Sequence, residues 1–119
     1  VLVADTNAAE LELAKAILDR WGYRAVIASD WDEIENAINH GGAPVDVAII
    51  DQGMNPPDAA DAETWWKQKS PSTKVLLSCQ GFPEPCDRPI SKPFYYPQVL
   101  NAIYGALEER ESLGSGDAS

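Results

Sequence analysis

Apolar residues in this chain gather into short runs, and each run breaks on a polar residue with chemistry to offer. Val1-Leu2-Val3-Ala4 leads into Asp5, Val45 to Ile50 into Asp51, Lys74-Val75-Leu76-Leu77 into Ser78, and Pro89-Ile90-Ser91 into Lys92. Runs of this length separated by helix-like segments predict buried parallel strands. From Ala8 to Trp21, Ala9, Leu13, Ala16, Ile17 and Arg20 fall at helical spacing, with Gly22 as the stop. Arg24 to Ala28 predicts a short strand. Ser29 or Asp30 can then cap a second helix in which Trp31, Ile34, Ala37 and Ile38 share a face until Gly41-Gly42. A third helix is predicted over Asp58 to Lys69, stopped by Ser70-Pro71-Ser72. A last one runs over Gln98 to Glu111, with Pro97 at its start and Val99, Leu100, Ile103 and Leu107 inward.

The order βαβαβαβ, then a short stretch, then βα, predicts an α/β domain with a doubly wound five-stranded parallel sheet. Only ten residues separate Ser78 from Pro89, and Pro83 and Pro85 are among them. A crossover between parallel strands needs about a dozen or more, so the fourth helix is expected to be shortened or absent. In open α/β sheets ligands gather at the carboxyl ends of the strands. Two carboxylates, a hydroxyl and an amine are therefore expected at one edge. Leu11, Ala14 and Leu18 either form an exposed stripe on the first helix or complete the core. Of the adjacent Trp65 and Trp66, one is expected to be partly exposed, because neighbouring helical positions point apart.

Composition narrows the function classes. A chain of 119 residues fits one domain, and its net charge of -10 with nine Lys and Arg argues against nucleic acid as a direct partner. Cys79 and Cys86, with the lone His40 far off in sequence, fall short of the roughly four ligands of a structural zinc site. The two cysteines are read as buried thiols, with a disulfide as the alternative. No run approaches the roughly 20 apolar residues of a membrane span, and no signal peptide is evident, so a cytoplasmic domain with no membrane contact is expected. The chain starts in a strand-like run at Val1 and is expected to be cut from a longer polypeptide. Residues 1–111 are read as the domain and 112–119 as a flexible tail.

Four markers now stand in order: Val1-Leu2-Val3-Ala4-Asp5; Ile49-Ile50-Asp51 followed by Met54 and Pro56; Ser78; and Ser91-Lys92-Pro93-Phe94. Over about residues 1 to 111 they resemble the receiver domains of two-component response regulators and hybrid sensor histidine kinases, the CheY-like branch of flavodoxin-like folds. The resemblance implies phosphoryl transfer from a phosphohistidine to the carboxylate of Asp51. It implies Mg²⁺ held by Asp5, Asp51 and the carbonyl of Gly53, with Lys92 paired to the phosphoryl group and Ser78 donating to one of its oxygens. Such chemistry needs the charge of the attacking carboxylate and the phosphoryl oxygens to be offset, which a divalent cation and an ammonium supply. The implied partners are a histidine kinase or histidine phosphotransfer domain and other domains of the same polypeptide. The domain itself is then a phosphoacceptor, within a parent chain read as a hybrid kinase.

Three departures point to partial degeneracy. The family carries two adjacent acidic residues after its first strand, and here the second is Thr6, a weaker and neutral ligand. Mg²⁺ needs only one or two carboxylates beside phosphate and water, so the site is expected to be weakened. Pro89 stands where the family carries an aromatic switch residue, and proline has no ring to swing. The segment between Ser78 and Pro89 is short where the family builds much of its output face. The alternative is thus a pseudo-receiver, a docking module independent of phosphorylation. A small-molecule-binding flavodoxin-like domain is more distant, because Asp5-Thr6-Asn7 stands where a Gly-rich phosphate loop would be.

Overall fold

The computed structural model describes residues 1–41, 45–57, 59–81, 86–92, 94 and 96–118, with side chains up to 108 except that of Tyr96. Expectations resting on Gly42, Asp58, Pro83, Pro85, Pro93 and Ser119 lie outside these residues. The elements are β1 (Leu2–Ala4), α1 (Ala8–Arg20), β2 (Val26–Ala28), α2 (Trp31–His40), β3 (Val47–Asp51), α3 (Ala62–Lys69), β4 (Lys74–Gln80), β5 (Ile90–Lys92) and α4 (Tyr96–Ala118). All five strands are parallel, in the order β2-β1-β3-β4-β5. The doubly wound sheet read from the sequence is the fold observed. No helix stands between β4 and β5 among the described residues.

β3 is central, and its alternation divides the core. Val47 and Ile49 join Val3 and Ile90 under α1 and α4, while Ala48 and Ile50 join Leu2, Ala4 and Ala28 under α2 and α3. A strand apolar on both faces reads as an unbroken run, which is why the period-2 signal is missing from Val47 to Ile50. Three helices start on side-chain caps. Asn7 Oδ1 accepts from Ala9 N and Glu10 N, Asp30 Oδ1 accepts from Glu33 N, and Asp61 Oδ1 accepts from Thr64 N. Glu33 reaches back to Ser29 N and Oγ, closing a reciprocal cap. Gly22, at φ +83°, ends α1 as expected, and Tyr23 N closes back on Leu18 O at 2.9 Å.

Several expectations are corrected. The buried stripe of α1 is Leu11, Ala14 and Leu18, whereas Leu13 is 39% exposed. Both sets have helical spacing, but Leu11, Ala14 and Leu18 are the ones that meet Val3 and Ile49, with Ile17 at the margin. Trp65 and Trp66 are both buried, at 1% exposure each. Trp65 packs toward α2, its ring centroid 4.9 Å from that of Trp31 at a 59° tilt, while Trp66 lies near the start of β4 beside Val75. A short helix at this position has cover on two sides, so adjacent residues both find the core. α3 begins at Ala62, because Asp61 provides the cap. The last helix starts at Tyr96 and its backbone continues to Ala118, past the Glu111 at which the pattern alone ends it. No helix among the described residues is long and apolar enough to cross a membrane.

Candidate phosphoryl site at the strand ends

Strand alternation carries four polar residues onto one face. Val3, Ile49, Leu76 and Ile90 all pack beneath α1 and α4, and two positions further along each strand stand Asp5, Asp51, Ser78 and Lys92. Register aligns them: Asp51 pairs with Ser78, Ser78 with Ile90, and Gln80 with Lys92. The apolar series inside the sheet becomes a polar series where the strands end.

Lys92 is the centre of the arrangement. Its Nζ donates to Asp5 Oδ2 at 2.7 Å and to Asp51 Oδ1 at 2.8 Å. The side chains of Lys92, Asp5 and Asp51 are 4%, 2% and 17% exposed. Burial by itself pushes the Lys92 ammonium toward the neutral form. Hydrogen bonds and charges from Asp5 and Asp51 outweigh that, and its pKa stands above the ordinary lysine value. Asp5 Oδ1 accepts from Asn7 N at 2.9 Å, so both of its oxygens are engaged. Asn7 thus does two jobs, capping α1 with its side chain and fixing Asp5 with its backbone.

Ser78 is fully buried, and its hydroxyl has no hydrogen-bond partner among the described residues. A buried hydroxyl without a partner costs about 1–3 kcal/mol in desolvation, and Ser78 is the register partner of Asp51. Thr6 is exposed in the bend after β1. Gly53 keeps the space beside Asp51 open, since a Cβ there would lie 3.2 Å from Asp51 Oδ2.

Those observations decide how a divalent cation fits. The donors are hard oxygens, and Asp51 Oδ2 accepts no hydrogen bond among the described residues. With Lys92 ionised, the two carboxylates leave a net charge of one negative, and no group of three acidic, His or Cys side chains occurs among the described residues. Oxygen donors of this kind are those Mg²⁺ takes, and a site here would carry less negative charge than one with a further acid.

The rim holds residues that spacing did not single out. Arg88 Nε donates to Gln52 Oε1 at 3.0 Å, and Gln52 N donates to Ser78 O at 2.9 Å. Ser91 N and Oγ both donate to Gln98 Oε1, tying β5 to α4. Phe94 N donates to Glu10 Oε2 at 3.4 Å. No motif announces these pairs, because each forms only once separate elements are packed together. Cys79 and Cys86 form a disulfide, with Cα atoms 5.7 Å apart, where buried thiols were the first reading. Cys86, four residues before β5, thereby lies against Cys79 of β4.

No family model matches the chain, and no curated protein matches it. Solved structures do. The signal receiver domain of an HD domain-containing protein from Pseudomonas fluorescens Pf-5 superposes with a TM-score of 0.73 at 23% identity, covering 96% of this chain and 90% of that one. The beryllofluoride-activated NtrC4 receiver domain dimer gives 0.69 at 26% identity, covering 92% and 96%. A response regulator receiver domain protein from Clostridium thermocellum gives 0.72 at 21% identity, covering 94% and 96%. The chain has the receiver-domain fold.

Proposed function

We propose that this receiver-fold domain is a phosphoacceptor of a two-component relay, taking a phosphoryl group from a phosphohistidine onto Asp51. The observation that carries the reading is the buried Ser78 hydroxyl, without a partner among the described residues and in register with Asp51, which shares the Lys92 ammonium with Asp5. A carboxylate oxygen of Asp51 attacks phosphorus, the P–N bond to the donor histidine breaks, and the imidazole leaves with the bonding pair. Lys92 gives up part of its contact with Asp51 to pair with a phosphoryl oxygen. Ser78 donates its hydroxyl proton to another, gaining the partner it lacks. Asp5 holds the ammonium in place throughout, itself fixed by Asn7 N. Mg²⁺, when bound by Asp51, the Gly53 carbonyl and the Thr6 hydroxyl with water, would offset charge on the phosphoryl oxygens. The donor in this reading is a histidine kinase or a histidine phosphotransfer domain.

A second reading, a docking module without phosphorylation, is favoured by one arrangement: both oxygens of Asp5 are occupied and Thr6 adds no charge. Incubation with a labelled phosphohistidine protein separates the two. Label should move to the chain and be absent from Asp51→Asn. Retention of all label on the donor, under conditions where a competent receiver discharges it, would favour docking alone.

A further inference from the structure

β5 is three residues long and lies at the edge of the sheet, yet it must deliver Lys92 to within hydrogen-bond reach of both carboxylates. It pairs on one side only, with β4, through Ser78↔Ile90, Cys79↔Ser91 and Gln80↔Lys92. Such a strand needs outside constraint. Gly81 N donates to Lys92 O at 3.0 Å, and Gln98 holds Ser91. The remaining constraint is covalent. Cys79, directly after Ser78 and register partner of Ser91, is bonded to Cys86 in the connection that leads into β5. Alternation puts Cys79 on the face of the sheet opposite Ser78, so the disulfide braces the site from behind without entering it. Cys86 Sγ lies 3.6 Å from the carbonyl oxygen of Ile90.

We propose that the Cys79–Cys86 pair is a redox latch on Lys92: the disulfide fixes β5 and hence the ammonium over Asp51, and reduction releases both. Its consequence for phosphoryl uptake rests on the phosphoacceptor reading above. Cys79 is 4% exposed and Cys86 is partly exposed, so an external dithiol meets Cys86 first. A thiolate of the dithiol attacks Cys86 Sγ, the bond to Cys79 breaks, and Cys79 leaves as a thiolate. The second thiol of the reductant then attacks the mixed disulfide, releasing Cys86 as a thiolate and leaving the reductant as its own disulfide. Closure is the reverse, with an oxidised dithiol as electron acceptor.

The test compares one polypeptide in two redox states. Amide exchange at Gly81 and Ser91 is followed by NMR in oxidised protein and after reduction by dithiothreitol, with acetyl phosphate uptake measured in parallel by intact mass. Chain entropy for a closed loop of about eight residues corresponds to roughly 60-fold, so exchange at both amides should accelerate by up to that factor on reduction. Uptake should slow by about tenfold, as expected for a loosened positioning group. Cys86→Ser should behave as the reduced protein under both conditions. Equal exchange in the two states, or two titratable thiols persisting in excess oxidised dithiothreitol, would overturn the latch. Faster exchange with no uptake in either state would support the latch and overturn the phosphoacceptor reading.

Discussion

Replacing Lys92 with methionine keeps most of the stem's volume and removes the one charge that Asp5 and Asp51 share. Asp5 is the residue left in difficulty, with a side chain 2% exposed and Asp51 Oδ1 facing the same vacated position. Breaking a buried ion pair by removing one partner costs about 3–5 kcal/mol, because the remaining charge stays desolvated. Lys92→Met should therefore lose about 4 kcal/mol in urea unfolding at pH 8. The loss should depend on pH in a definite direction. Without its cation, buried Asp5 acquires a folded-state pKa above its unfolded value, so the stability it contributes is present at low pH and lost as pH rises through the folded pKa. The deficit of Lys92→Met relative to the unmodified protein should thus be smaller at pH 5 than at pH 8. Adding Asp5→Asn should recover about 2 kcal/mol, which is the coupling expected of groups in direct contact. A deficit under about 1 kcal/mol at pH 8, or one unchanged between pH 5 and pH 8, would show that Lys92 acts as a packed stem and refute the argument from charge.

The other predictions address the remaining site residues. Thr6→Asp adds the carboxylate that the site lacks, and the rise in Tm with Mg²⁺ should report affinity increased by about tenfold or more; an unchanged Mg²⁺ dependence would mean that Thr6 does not face the metal. Ser78→Ala removes the orphan hydroxyl. It should leave the unphosphorylated protein as stable or about 1 kcal/mol more so in urea melts, while acetyl phosphate uptake slows about 10- to 100-fold. Because the Lys92 pKa is raised from 10.5, its stabilisation is complete below that value and lost as pH climbs through the folded pKa. Thermal unfolding of unmodified protein should fall above about pH 10.5 more steeply than that of the Asp5→Asn/Lys92→Met pair, which carries no such group.

Four residues of the candidate site were legible in the sequence for one reason: each follows an apolar run, and parallel strands carry their carboxyl-end residues to one edge. Their common face was legible too, since Asp5 continues from Val3, Asp51 from Ile49, Ser78 from Leu76 and Lys92 from Ile90 at a period of two. The helix faces were harder. On α1, Ala9-Leu13-Ala16 and Leu11-Ala14-Leu18 have similar spacing, and only the position of Val3 and Ile49 selects the second. The burial of both Trp65 and Trp66 is not legible from helical spacing, which covers one side of a helix, whereas α2 and the start of β4 enclose α3 on two. The disulfide was open to either reading, since a separation of seven residues says nothing about where the chain turns back. Likewise the pairs Arg88–Gln52 and Ser91–Gln98 depend on the folded sheet and leave no local trace.

The central claim is that Asp51 accepts a phosphoryl group, and intact-mass analysis after incubation with acetyl phosphate and Mg²⁺ tests it most directly. The unmodified chain should gain one phosphoryl group that is lost on mild alkaline treatment, as an acyl phosphate is, and Asp51→Asn should gain none. An unmodified chain that stays at its starting mass while a competent receiver domain is phosphorylated alongside it would contradict the account, as would equal gain by Asp51→Asn.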